Sequence, residues 1–589
     1  MCSICGVYAS KDFSLPVCKM LEDMDFRGPN GCFSYADRGF YAGSNRLSIN
    51  DLGNGNQPFI SQDGSVVVFF NGEIYNYKTL KKELEADEIE FFSHCDGEIL
   101  PFMYQKYGLD CFGYLDGMFG VAVYDKRLHR IILARDRGGE KPLYYFHNDE
   151  IFAFCSLISP LKRVLNPALN FTLNPQAIWD FLTFGFIPEP QSIYQEIKSV
   201  PKGSFLVFDC KSLEVQIRDF CKDSLYQNTP KGLLDRQGLI AKTQELVYKS
   251  VSDRLLGDVK IGAFLSGGLD SSIVACVAKE CLKSDFHTFS ISFESGRDPY
   301  SAQVNESEFS TLVAKSIHSK HYELAVSAKT FQAELDSFVS SVDQPFGAIS
   351  GIGIKLLARR ARELGVKVLL SGDGADENFG GYAWYPKLRF NNPQAITLQK
   401  PKGWHYYAFE KEKKVIFSQD FFANVRSSLG YFPALDSKPL AFIAFDREFY
   451  LPYEMMVKLD RMCMSESVEG RACFVSPAIF AFTQSLDYET LLLEGEKWLL
   501  KEAFKEILPQ EILKRQKHGF NAPIDDWMKG EWLWLLREAL SAKSALSRYG
   551  ILDKGADKFM LDLLFSSQAR VGNIAFYLVV LNLWLENLS

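Results

Sequence analysis

The sequence predicts a multidomain chain of two architectures. Antiparallel sheets pack together in its N-terminal third, and an α/β unit with a parallel sheet and a helical tail follows. Three observations carry this. At 589 residues the chain is too long for a single core. Short apolar runs bounded by Gly, Asp and Asn fill roughly the first 205 residues. Beyond a polar stretch at 222–238, the runs take helical spacing or read as buried strands ending in Gly-rich turns.

In order along the chain, "SVVVFF", "MFGVAVYD", "RIILARD" and "IFAFC" read as strands. Many strands with few long helices suggest sheets packed face to face. "KDSLYQNTPKGLLDRQG" holds Pro and Gly among polar residues and is the expected linker. "LIAKTQELVYKSVSDRLL" has helical spacing, and "VKIGAFL" and "VKVLL" read as buried parallel strands. In the tail, "IAFYLVVLNLWL" is well short of the ~20 residues that span a bilayer, so it reads as a buried helix and no membrane partner is expected. The expected division is 1–205, a connecting segment 206–238, and 239–589.

Composition narrows the function classes. The chain is 47% hydrophobic and 14% aromatic, which suits a folded enzyme rather than a disordered chain. A net charge of −8 argues against nucleic acid, which needs a basic face. The 13 cysteines are scattered and odd in number, as expected of free thiols in a reducing, cytoplasmic setting. No basic stretch followed by an apolar one marks a signal peptide.

The opening "MCSICGVY" allows three readings: a C-x-x-C pair for metal or disulfide, two inert strand residues, or a nucleophile at Cys2 exposed by removal of Met1. In the last, the free α-amine of Cys2 titrates near ~7.7–8.0 and can serve as its base. Such a nucleophile needs an oxyanion hole, and "FNGEIYNY" offers the Asn71 amide and the Gly72 N–H, although Asn-Gly is equally a hairpin signal. Arg46 can pair with an α-carboxylate, and Glu73 and Asp96 with an α-ammonium. Zinc would need two further ligands, and the nearest candidates, His318 and His321, lie in the other half. Cys5 then reads as a buried strand residue.

In the second half, "SGGLDSS" (266–272) lies between a strand and a helix, an arrangement that cradles anions. Gly267 and Gly268 permit close approach, and Ser266, Ser271 and Ser272 add hydroxyls. Asp270 is suited to Mg²⁺ beside phosphate. The chain has no Gly-Lys dipeptide, so this is not a Walker A loop. The bland alternative is a Ser/Gly turn capping a helix. A second turn, "SGDGADE", places Asp373, Asp376 and Glu377 after another strand and invites a divalent cation, with a solvated acidic turn as its alternative. Lys517 in "RQKHGFNAP" is a natural donor to a charged leaving group.

Together these motifs resemble the glutamine-dependent asparagine synthetase family. "RGPN", "RLSIND", "NGEIYNY", "CDGEIL" and "ARDRGGEKPLYY" look like its class II glutaminase domain. "FLSGGLDSS", "SGDGADENFGGY", "VKLDRMCMSESVEGR" and "RQKHGFNAP" look like its synthetase domain. The resemblance implies an Ntn-type αββα sandwich glutaminase followed by an ATP-pyrophosphatase domain. It implies that Cys2 attacks the glutamine amide, that Asn71 and Gly72 hold the oxyanion, and that Arg46, Glu73 and Asp96 hold the amino-acid end. Ammonia passes inside the protein to a carboxylate adenylated by ATP·Mg²⁺, most simply aspartate. Leu265, Ile291, Ser371 and Gly372 look like adenosine contacts, Asp270 and Asp376 like metal ligands, Asp373 like a catalytic acid of the turn, and Lys517 like the pyrophosphate lysine. A homodimer is implied as well. Asn30 stands where the family usually has Asp, and "VEGRACFVSP" replaces a more usual "EVRVPFLD". That change leaves open an acceptor such as a sugar uronic acid. The acidic "SGDGADE" turn and the nearby "VEGR", with Glu469 and Arg471, are expected to supply both signs of charge for aspartate. A catalytically dead binding or regulatory homologue is the alternative of a different class.

Overall fold

The computed structural model describes residues 2–165, 169–221, 234–282, 285–293, 306–389, 406–432, 439–515, 522–566 and 570–588. Within them the N-terminal apolar runs form β1 (Cys2–Ala9), β2 (Gly31–Asp37), β3 (Phe40–Arg46), β4 (Phe59–Ile60), β5 (Val66–Ile74), β6 (Gly117–Asp125), β7 (Arg130–Arg135), β8 (Tyr144–His147), β9 (Ile151–Cys155), β10 (Ile197–Ser199), β11 (Ser204–Asp209) and β12 (Val215–Asp219). They pair antiparallel in two sheets, ordered β10-β8-β9-β1-β3-β2 and β12-β11-β7-β6-β5-β4.

Side-chain alternation makes these sheets a four-layer sandwich. In β1, Ile4 enters the space between the sheets with Phe40, Phe69 and Phe154. Its neighbours Cys5 and Val7 face helix Ser14–Asp23 through Val17, Met20 and Leu21. In β5, Val67 and Phe69 point inward, while Val66, Val68 and Phe70 face helices Tyr77–Glu85 and Ile99–Tyr107. Helices thus cover both outer faces. Because Cys2 and Cys5 lie three apart on one strand, their side chains leave it on opposite sides.

The expected connecting segment 206–238 divides differently. The apolar "SFLVFD" of β11 pairs with β7, so the second sheet runs past residue 205 and through β12. Residues 222–233 lie outside the described residues. Asp235 then caps helix Arg236–Asp253, its side chain accepting from Gly238 N at 2.8 Å.

The C-terminal unit is built on β13 (Lys260–Phe264), β14 (His287–Phe293), β15 (Lys320–Val326), β16 (Val366–Ser371) and β17 (Glu469–Ala472). All pair in parallel, in the order β15-β14-β13-β16-β17. The tail ends in helix Val571–Glu586, which buries Ile574, Phe576, Leu578, Leu581 and Leu585. A helix apolar on nearly every side suits an interior position. Among the described residues, no helix is long and apolar enough to cross a membrane.

The two halves share a core in which Leu47, Ile49, Tyr75 and Met118 pack with Val247, Val251 and Phe474. A buried ion cluster crosses the same junction. Arg27 of "RGPN" donates to both oxygens of Asp460 at 2.9 and 3.1 Å, and Lys141 Nζ lies 3.3 Å away. Burial works against the Asp460 charge, but Arg27 and Lys141 outweigh it and hold the carboxyl down at about 2. This group therefore stabilises the fold fully above its unfolded value near ~3.9, and the contribution fades as pH falls toward 2. Asp460→Asn is expected to lower stability by about 3–5 kcal/mol at pH 7, because it leaves two buried cations without their counter-charge. Thermal unfolding of the variant checks this; an unchanged Tm would contradict it.

Candidate active sites

β1 and β5 set the first site. Cys2 is buried, and its backbone nitrogen donates to Asn71 Oδ1 at 3.1 Å. Gln57 Nε2 lies 3.6 Å from Cys2 Sγ, held there by its own bond to the Phe70 carbonyl at 2.7 Å. Burial pushes the thiol above its ordinary value, opposed by a hydrogen bond with the Leu47 backbone and by Arg46. The other end of the Asn71 amide, Nδ2, is buried with no hydrogen-bond acceptor. Gly72 follows it, and a Cβ at this position would collide with the Met118 carbonyl on β6, so only glycine fits.

The charged residues expected here are close by. Arg46 pairs with Cys2 across β3 and β1. Its guanidinium donates to Asn56 Oδ1 at 3.2 Å and to the carbonyls of Asn50 and Asp51 at 3.1 and 2.5 Å. Glu73 is buried beside Asp96; one of its oxygens, Oε1, has no hydrogen-bond partner. Asp96 accepts from Ile74 N at 2.7 Å. Burial raises both carboxyls above the ordinary range, and for Glu73 the charge of Asp96 adds to it. Two buried acids with one open oxygen suit a positively charged ligand. Asn30 accepts from Ser48 N at 3.0 Å, which anchors the chain just after Arg46.

The second site follows from sheet order. β13 is central, with β14 and β15 on one side and β16 and β17 on the other. The chain direction across the sheet therefore reverses between β13 and β16, and ligands of open α/β sheets bind at the carboxyl ends of the strands at such a point. Both expected turns are there. Leu265 N donates to the Phe289 carbonyl at 2.8 Å, tying the end of β13 to the strand that carries Ile291. Gly267 has φ +73°, and its carbonyl accepts from Arg515 Nη1 at 2.7 Å. Ser266 and Ser271 hydroxyls lie 3.1 Å apart, and Gly268 N donates to Ser266 Oγ. Ser272 is buried in the helix behind them. A Cβ on Gly372 would lie 2.9 Å from Asp270 Cβ, so the two turns touch. Ser371 Oγ donates to Asp373 Oδ2 at 2.6 Å, and Lys458 Nζ lies 3.9 Å from Asp373 Oδ1.

A residue that sequence reasoning missed joins the two turns. Lys497 Nζ is 2.6 Å from Asp270 Oδ2 and 2.6 Å from Asp376 Oδ1. It is buried, and although burial opposes its charge, the two carboxylates raise its proton affinity and keep it an ammonium. "EGEKW" carries no motif signal, so only the fold could find it. Arg515 opens the quoted "RQKHGFNAP", but the motif drew attention to Lys517 and gave Arg515 no role. Lys517 lies outside the described residues. Glu377 is buried, accepts from Tyr382 OH at 2.7 Å, and is pushed up to about 8 by burial and by Asp376.

One expectation is corrected. Glu469 and Arg471 do not combine as an acceptor pocket. Arg471 is fully buried at the junction, where it donates to Glu469 Oε1, to the carbonyls of Arg254 and Leu256, and to Glu73 of the first site. β17 is the edge strand of the parallel sheet, and from it Arg471 reaches Glu73 of the N-terminal sandwich.

Both halves of the chain match known domain families. The family model described as asparagine synthase matches residues 242–586. The chain belongs to the asparagine synthase family. A glutamine amidotransferase domain matches residues 1–220. Among relatives of this asparagine synthase family chain, asparagine synthetase (glutamine-hydrolyzing) 1 of Bacillus subtilis strain 168 is 28% identical over 90% of this chain and 88% of its own length. Asparagine synthetase (glutamine-hydrolyzing) 3 of the same organism is 26% identical, covering 91% of this chain and 90% of the relative. Asparagine synthetase (glutamine-hydrolyzing) of Zea mays is 26% identical, covering 90% and 79%.

Proposed function

We propose that this chain is a glutamine-hydrolysing, ATP-dependent asparagine synthetase. One observation carries the reading: an amide donor without an acceptor, Asn71 Nδ2, stands beside a buried cysteine that becomes N-terminal once Met1 is removed. That is a nucleophile next to an oxyanion donor. In this reading the Cys2 α-amine takes the thiol proton, and the thiolate attacks the glutamine side-chain amide. Asn71 Nδ2 and Gly72 N–H hold the oxyanion, ammonia leaves, and water hydrolyses the glutamyl thioester. Arg46 holds the α-carboxylate and gives up its loop carbonyls to do so. Glu73 and Asp96 hold the α-ammonium, which relieves two crowded carboxylates.

At the C-terminal site, ATP is the second substrate. Leu265, Ile291, Ser371 and Gly372 surround the nucleoside, and the 266–272 turn cradles its phosphates. Asp270 and Asp376 fit a divalent cation, since two hard oxygen donors from separate turns already meet on one positive group, Lys497. Mg²⁺ bound there supplies neutralising charge to the pyrophosphate. Lys497 supplies charge to the same leaving group, together with Lys517. Asp373, oriented by Ser371, faces the reacting carboxylate. Ammonia passes inside the protein from the first site to the second; a cavity of about 20 Å³ at the junction, bordered by Glu140, Tyr144, Gln344, Tyr453 and Val457, has room for one such molecule.

Aspartate is the proposed acceptor. A specific observation favours a second one, a sugar uronic acid: Tyr382 and Trp384 stack at 4.3 Å beside Glu377, and Arg471 is spent elsewhere. Incubation of purified protein with labelled aspartate, ATP and glutamine decides between them. Labelled asparagine with one pyrophosphate per turnover is expected. Active glutaminase without asparagine, together with amidation of a nucleotide-linked uronic acid, would establish the second reading.

A further inference from the structure

Glu73 has two carboxylate oxygens with different fates. Oε2 lies 3.1 Å from Arg471 Nη2, and Oε1 has no hydrogen-bond partner. Both side chains are buried, Arg471 completely. Arg471 is itself fixed at 2.5 Å by Glu469 Oε1 and at 2.7 and 2.5 Å by the carbonyls of Arg254 and Leu256. Its guanidinium and that of Arg254 both lie over the Tyr75 ring, at 5.8 and 4.5 Å from its centroid. Tyr75 is two residues beyond Glu73. The segment behind this arginine also grips the first site, since Asp258 accepts from Asp51 N at 2.9 Å, next to the carbonyls that hold Arg46.

Resting on the glutaminase reading above, we propose that Arg471 is a positioning residue for glutamine capture: carried by the C-terminal unit, it fixes one oxygen of Glu73 and leaves the other aimed at the glutamine α-ammonium. The glutamine pocket is then completed by a strand, β17, whose next residues bond to the nucleotide turn through Cys473 N and the Ser371 carbonyl at 3.0 Å. The charged side chains acting on Glu73 include Asp96, Arg471 and Glu469. Arg471 is the cation bonded to Glu73, so its loss removes that counter-charge while Asp96 and Glu469 remain. The carboxyl would then hold its proton to higher pH and bind an ammonium poorly.

The test uses the full-length chain with Arg471→Met and Arg471→Lys. Glutaminase kcat and KM are measured from pH 7 to 9. Protection of Cys2 from iodoacetamide by glutamate gives a binding constant independent of turnover. For Arg471→Met, KM and the glutamate constant are expected to rise at least tenfold, with kcat changed less than threefold. The defect shrinks as pH rises and Glu73 regains its charge, and Arg471→Lys recovers part of the affinity. A KM within twofold of wild type across this range would overturn the proposal. So would a loss in kcat alone, or a defect independent of pH in which Lys does no better than Met, since those mark a merely structural contact. If the Met variant does not fold, Arg471→Gln, which also removes the charge, takes its place, and an unchanged KM there overturns the proposal equally. Absence of glutaminase in the wild type is a different result, because it removes the reading of the first site itself.

Discussion

Cys2→Ala is expected to abolish glutamine-dependent synthesis while ammonia-dependent synthesis continues. The size of the loss follows from chemistry. Removing the nucleophile of a covalent mechanism lowers kcat by on the order of 10⁴-fold or more, because no neighbouring group replaces the bond-forming atom. Little else changes. Cys2 is a small buried side chain, and Gln57 keeps its bond to the Phe70 carbonyl when the sulfur is gone. The C-terminal turns are built from residues remote in sequence, so exogenous ammonium still reaches an intact second site. Glutamate release from glutamine, and pyrophosphate release with ammonium chloride, are measured on the same preparation. Retained glutaminase in the variant would refute the assignment. The wild-type reaction should also accelerate with pH through the range of the terminal amine, near ~7.7–8.0, since burial holds the thiol protonated and the amine must be neutral to take its proton.

Asp270→Asn should have the opposite pattern, with glutamine hydrolysis alive and ATP cleavage reduced by about 10²–10³-fold. The structure gives the reason in charge terms. Asp270 and Asp376 each lie 2.6 Å from Lys497. ATP brings several negative charges to this turn, and the site must offset them with a cation on the carboxylates and with the lysine. Asparagine keeps the shape of Asp270 but removes half of the anionic pair that would hold a divalent ion. Lys497→Met removes charge from the leaving group instead and should reach a similar loss, which higher Mg²⁺ does not restore. Unchanged pyrophosphate release in Asp270→Asn at saturating Mg²⁺ would contradict the role given to that carboxylate.

Much of the molecule was legible in the chain itself. The strands β1, β5, β6, β7 and β9 follow from apolar runs whose alternate residues face the two sides of a sheet, and the phosphate-type turn follows from glycines and hydroxyls placed between a strand and a helix. These are local signals, set by backbone sterics and side-chain period, and they survive without knowledge of neighbours. Cys2, Asn71, Gly72, Glu73 and Asp96 each stand out in a short motif with a chemical rationale, and the fold brings Cys2 to Asn71 and Glu73 to Asp96. The extension of the second sheet through β11 and β12 was not found. Short strands at a sheet edge depend on the partner they add to, here β7.

Tertiary structure alone decided the partners of the long charged side chains. Lys497 is 227 positions from Asp270, yet they touch; Arg471 is 398 positions from Glu73, yet they share a buried ion pair. A sequence shows that such residues carry charge. It does not show which opposite charge will be brought into the same low-dielectric interior, where a pair is strong and an unpaired ion is costly. Arg471 illustrates the difference. Its motif pointed to the acceptor pocket, but burial demanded that every donor find an acceptor, and those acceptors, Glu469, two backbone carbonyls and Glu73, lie where the two halves of the chain meet.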